Sequence, residues 1–144
     1  MKFKQTVPRR WNVAVDGIRW LPRMIDKARM SANGNLGAYL IGHSPVDHAL
    51  LTRLGLSTDE FIAISAAHGD DVSVLQTLRE RGMDEPRIRR WSDNFESTYR
   101  RYIWMWDVDE GYVRPNPAQG FVLALYRPIQ NWVSALLRKL LPAP

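Results

Sequence analysis

Cysteine is absent from this chain, which excludes disulfides, thiolate nucleophiles and cysteine-ligated metal sites. Histidine is scarce: His43, His48 and His68 are the only three. No apolar run approaches the ~20 residues that span a bilayer. The opening MKFKQTVPRRW is basic but has no apolar stretch behind it, so it does not read as a secretory signal. A cytoplasmic location is the expectation by elimination. The chain also lacks G-x-S-x-G, a phosphate-binding loop, H-E-x-x-H and G-x-G-x-x-G, so no reaction class is written in its motifs. Residues 121–144 hold no aspartate or glutamate.

What is present suits a globular helical protein. At 144 residues, 45% of them hydrophobic, the default is one domain, burying roughly 68–70% of its unfolded surface. The formal charge of +5 is spread unevenly: net +6 over residues 1–30, −5 over 31–85, +3 over 86–106, −2 over 107–120 and +3 over 121–144. Alternating blocks suit helices that attract one another, or a dipolar surface that self-associates, at least as well as a nucleic-acid platform.

The stretch Gly17 to Pro45 organises the rest. Trp20, Leu21, Met24, Ile25, Ala28 and Ala32 recur at steps of three and four, the apolar stripe of a helix. Pro22 belongs in a first turn, which places the start near Ile18 to Leu21. Asn33-Gly34 supplies the stop. The polar side gathers Arg19, Arg23, Asp26, Lys27 and Arg29, with Asp26 at i+3 from Arg23 and i−3 from Arg29. The ordinary reading is a solvated salt-bridge ladder. The sharper one is a binding face for an anionic or carboxylate-bearing group, which arginine forks suit.

Leu21-Pro22-Arg23-Met24-Ile25-Asp26-Lys27-Ala28-Arg29, then Leu36-Gly37-x-Tyr39, Ser44-Pro45-x-Asp47 and Leu54-Gly55 follow in register. This order resembles the uncharacterised bacterial family called domain of unknown function 5069, from about Asp16 to about Tyr112. The resemblance implies a small helical domain. It brings no catalytic residue with it, and His43 and His48 lie outside its pattern.

Further along, Leu36 to Gly42 is a short apolar run bounded by glycines, open to strand, helix or loop and read here as an irregular connection or a short helix. Ser44-Pro45-x-Asp47, Ser57-Thr58-Asp59-Glu60 and Asp70-Asp71 each start a helix, with Asp47 expected to complete a capping box. Gly55, Gly69 and Gly82 stop these helices. Asp84-Glu85-Pro86 is expected to open one long helix to about Trp106, with Ile88, Trp91, Phe95, Tyr99, Tyr102, Ile103 and Trp106 as an aromatic seam. After a proline-punctuated linker, Phe121 to Leu141 is amphipathic, with Pro128 expected to kink or divide it.

The expected fold is all-α: a single compact domain of five or six helices with an appended C-terminal amphipathic helix. Residues 1–12 form a basic arm, 13–112 the helical core and 113–144 the linker and last helix. His43, Asp47 and His48 are the nearest approach to a metal site, but Asp47 reads as a cap residue. Asp107-x-Asp109-Glu110-Gly111 brushes against a calcium loop, yet Ala118 stands where the bidentate glutamate belongs. Neither a metal nor a cofactor is therefore expected.

The leading functional expectation is a non-catalytic module that binds a protein partner or itself. Its interface would be Leu125, Ile129, Trp132, Val133, Leu136 and Leu140. Contact with a membrane surface is a second outlet for that stripe. The alternative is a nucleic-acid-binding protein using Arg87, Arg89 and Arg90. A small-molecule-binding protein or an enzyme of unassigned reaction class is third.

Overall fold

The computed structural model describes residues 5–140. It is mostly helical, with two compact units divided between Thr98 and Tyr99. The first unit opens with a two-stranded antiparallel hairpin, Ala14–Val15 (β1) and Ile18–Arg19 (β2), in which Val15 faces Ile18. The turn residues Asp16 and Gly17 both take positive φ, 47° and 75°, as a tight primed hairpin turn requires. Next come Leu21–Ala32 (α1), Pro45–Leu54 (α2), Thr58–Ala67 (α3), Asp71–Glu80 (α4), Glu85–Asp93 (α5) and Phe95–Thr98 (α6). The second unit holds Arg100–Asp109 (α7) and Pro117–Leu140 (α8).

The helix starts follow from their caps. Ser44 accepts from Asp47 N, Ser57 and Glu60 form a reciprocal capping box, and Asp70 and Asp84 accept from Ser73 N and Arg87 N. Each satisfies an amide that would otherwise lack an intrahelical partner. The segment 36–42 is the irregular connection, with Ile41 and Gly42 buried. Gly42 sits at φ +81°, and a Cβ there would lie 2.1 Å from Thr58 Oγ1. Only glycine lets this loop close against the start of α3.

The core of the first unit is Ile18, Leu21, Met24, Ile25, Met30, Leu50, Phe61, Leu75, Leu78, Ile88 and Phe95. α1 packs against α3 and β1, α4 against α3, and α5 against β2 and α2. α1 is therefore central, and every residue from Leu21 to Ala28 is buried. The long helix expected from Asp84 to Trp106 is instead three pieces, α5, α6 and α7. Asn94 ends the first, because its side chain bonds back to Arg90 O at 2.8 Å and competes with the helical ladder. The expected aromatic seam divides accordingly. Trp91 and Phe95 meet edge to face at 5.3 Å within the first unit, and Tyr102 stacks on Trp106 at 6.3 Å within the second.

Candidate functional site

The charges of α1 are inside the protein. Arg23, Asp26 and Lys27 are between 2 and 4% exposed, so the expected solvated ladder is replaced by a buried cluster. The reason is the chain from Gln5 to Arg9, which folds back over the polar side of the helix. The Arg9 guanidinium forks onto Asp26, Nε to Oδ2 at 2.8 Å and Nη2 to Oδ1 at 2.9 Å, and onto both oxygens of Asp71 at 2.5 and 2.9 Å. Arg9 N and Gln5 Nε2 also donate to Asp26, and Arg23 Nη1 donates to Arg9 O. Asp26 is thus held by a guanidinium as expected, but that of Arg9 from outside the helix. Hydrogen bonding to Asp71 raises the Arg9 pKa above its ordinary value, with partial burial opposing and Asp26 reinforcing.

Lys27 points another way. Its Nζ lies 2.5 Å from Asp47 Oδ2, and Asp47 is 0% exposed. Asp47 also accepts from Trp20 Nε1 at 2.8 Å and from Gly42 N at 3.0 Å. Its carboxylate therefore ties α1, α2 and the 36–42 loop together instead of returning to the Ser44 backbone as a capping-box residue. Trp20 holds φ +68°, a strained conformation for a bulky residue. It is fixed on several sides: stacking on Phe95 at 5.5 Å, and the cationic ends of Arg23 and Lys27 at 5.2 and 5.3 Å from its ring.

The remaining predicted residues disperse. Arg19 lies on β2 and reaches Ser92, its N–H donating to Oγ at 2.8 Å and its Nη1 to the carbonyl at 3.1 Å. Arg29 donates to Ser65 O and His68 O, serving the C-terminal carbonyls of α3. The five residues Arg19, Arg23, Asp26, Lys27 and Arg29 therefore clamp separate elements and do not compose one open binding face. His43 and His48 are exposed while Asp47 is buried. Among the described residues no three His, Asp or Glu side chains are placed to hold a metal ion. In the second unit Asp109, from the calcium-like run, pairs with Arg127 at 2.7 Å.

A second network lies at the surface of the first unit. Glu85 receives Arg79 Nη2 at 2.6 Å and Arg89 Nη2 at 2.8 Å, and the same two arginines reach Asp16 in the hairpin turn. Hydrogen bonds from Arg79 and then Arg89 hold the Glu85 carboxyl at about 2. Arg89, one of the three arginines of the nucleic-acid alternative, is thereby engaged, while Arg87 and Arg90 are exposed.

The second unit presents the opposite chemistry. α8 runs unbroken from Pro117 to Leu140 through Pro128, so the expected division does not occur. Leu125, Ile129, Trp132, Val133, Leu136 and Leu140 are 39–69% exposed, and Phe121, Val122 and Tyr126 widen the stripe. At 3.6 residues per turn they fill an arc of roughly 140°. About half exposed at roughly 150–200 Å² each, they leave on the order of 700–900 Å² of apolar surface. That exceeds the ~300–600 Å² of the largest patch on a typical monomer.

Two of these features were missed in the sequence. Arg9 as the partner of Asp26 left no local signal, because the two are 17 positions apart. The hairpin was signalled by Asp16-Gly17 between apolar residues. No helix among the described residues is long and apolar enough to cross a membrane. No curated protein and no solved structure matches the chain. Residues 5–121 match the family model described as Domain of unknown function (DUF5069), a span that takes in the part of the arm carrying Arg9 as well as the helical core. The chain belongs to that family.

Proposed function

We propose that this protein is a non-catalytic, self-associating helical module. Its first unit is a domain whose elements are tied together by buried ion pairs, and its second carries the contact surface. The observation that supports this is the uncovered apolar face of α8. A standard protein interface takes ~800 Å² from each partner, and the stripe supplies about that much. Burying each large side chain is worth ~1.5–3 kcal/mol, so leaving the whole stripe in water is costly. The α1 cluster supports a structural role, since Asp26 and Asp47 spend their oxygens on Gln5, Arg9, Lys27, Trp20 and Gly42.

Light scattering across a concentration series is expected to return twice the chain mass, falling on dilution. Vesicles with and without anionic lipid test the competing outlet: a monomer that co-sediments with them would replace self-association with membrane contact. Exposed Arg87 and Arg90 sustain a second, weaker reading as a nucleic-acid binder. It requires retardation of short duplex or single-stranded probes at low salt that fades steeply as salt is added.

A further inference from the structure

Resting on the self-association proposed above, we infer that two copies of this chain pair their α8 helices antiparallel, about a two-fold axis between Ile129 and Trp132. The apolar stripe runs from Phe121 to Leu140, and its midpoint lies between those two residues. In an antiparallel pair centred there, Phe121 stands opposite Leu140, Leu125 opposite Leu136 and Ile129 opposite Trp132. Two of these three layers then join unlike side chains, Phe with Leu and Ile with Trp, and the third joins two leucines. A parallel pair would set every residue against its own copy, Trp132 on Trp132 and Phe121 on Phe121.

Charge points the same way. α8 contains no carboxylate, and its C-terminal end carries Lys139. Parallel pairing would gather the lysines of both copies at one end and align two helix dipoles side by side. Antiparallel pairing separates the lysines and opposes the dipoles. It also sets each Lys139 across from Val122, over the N-terminal half of the partner helix.

The absence of cysteine makes the orientation directly readable in the full chain. Leu125→Cys and Leu136→Cys are prepared separately, mixed and oxidised, with Val122→Cys and Lys139→Cys as a second pair. In the antiparallel dimer, Leu125 of the two copies lies ~16 Å apart along the axis, beyond the ~7 Å Cα separation a disulfide tolerates. Each variant alone is expected to stay uncross-linked while the mixtures form covalent dimers. Like-with-like disulfides from both Leu125→Cys and Leu136→Cys, in a protein that scatters as a dimer, overturn the orientation but leave self-association standing. A dimer that cross-links through none of these positions removes α8 from the interface and overturns the inference. A monomer with no cross-link under any mixing removes the self-association on which it rests.

Discussion

Lys27 and Asp47 meet at 2.5 Å almost out of contact with water. Such a pair adds little net stability relative to apolar residues of the same shape, but losing one partner strands a buried charge. Lys27→Met is therefore expected to cost about 3–5 kcal/mol, measured as a shift in the urea midpoint at constant m. Lys27→Met combined with Asp47→Leu should recover part of that loss. It should not recover all, because Trp20 Nε1 and Gly42 N would lose their acceptor. A double variant no more stable than the single would show that the buried charge is not the source of the cost. Glu85 makes a separate prediction about pH. Its carboxyl, ordinarily near 4.5, is held at about 2 by Arg79 and Arg89, so the contribution is present above pH ~4.5 and lost as pH falls toward 2. Glu85→Gln should lower Tm at pH 7, and the gap from the unsubstituted protein should close across that window. A gap independent of pH would contradict the assignment.

Helices were legible where their ends carry local chemistry. Ser44, Ser57, Asp70 and Asp84 mark starts that the structure reproduces with cap hydrogen bonds, because a cap depends on neighbours three residues away. The break at Asn94 was not legible, since an aromatic period runs straight across it. Nor was the burial of α1: its charges look solvated until a segment far away in sequence folds over them, and no helical period carries that information. The 36–42 loop makes the point testable. Gly42→Ala adds a Cβ 2.1 Å from Thr58 Oγ1 at φ +81°, so it should destabilise by more than the ~1–2 kcal/mol of left-handed strain alone. In a Thr58→Ala background the same change should cost less, by the clash removed. Equal costs in both backgrounds would mean that the loop does not close on α3 as described.

At the scale of the molecule, the two units differ in how they satisfy their chemistry. The first buries ion pairs and apolar side chains together, whereas the second leaves a wide apolar face on α8 exposed. The amphipathic period of that helix was plain in the sequence, and its apolar residues lie exposed. What covers them could not be read there, because periodicity defines a face and not its partner. The account is tested most directly by sedimentation equilibrium on the full chain beside Trp132→Glu. That substitution places a charge at the centre of the exposed stripe, at a side chain 65% exposed. The unsubstituted protein should sediment at twice the chain mass, and Trp132→Glu as a monomer with unchanged helix content and an unchanged urea midpoint for the first unit. A monomeric unsubstituted protein, or a dimer that Trp132→Glu leaves intact, would contradict the claim that α8 is the contact surface.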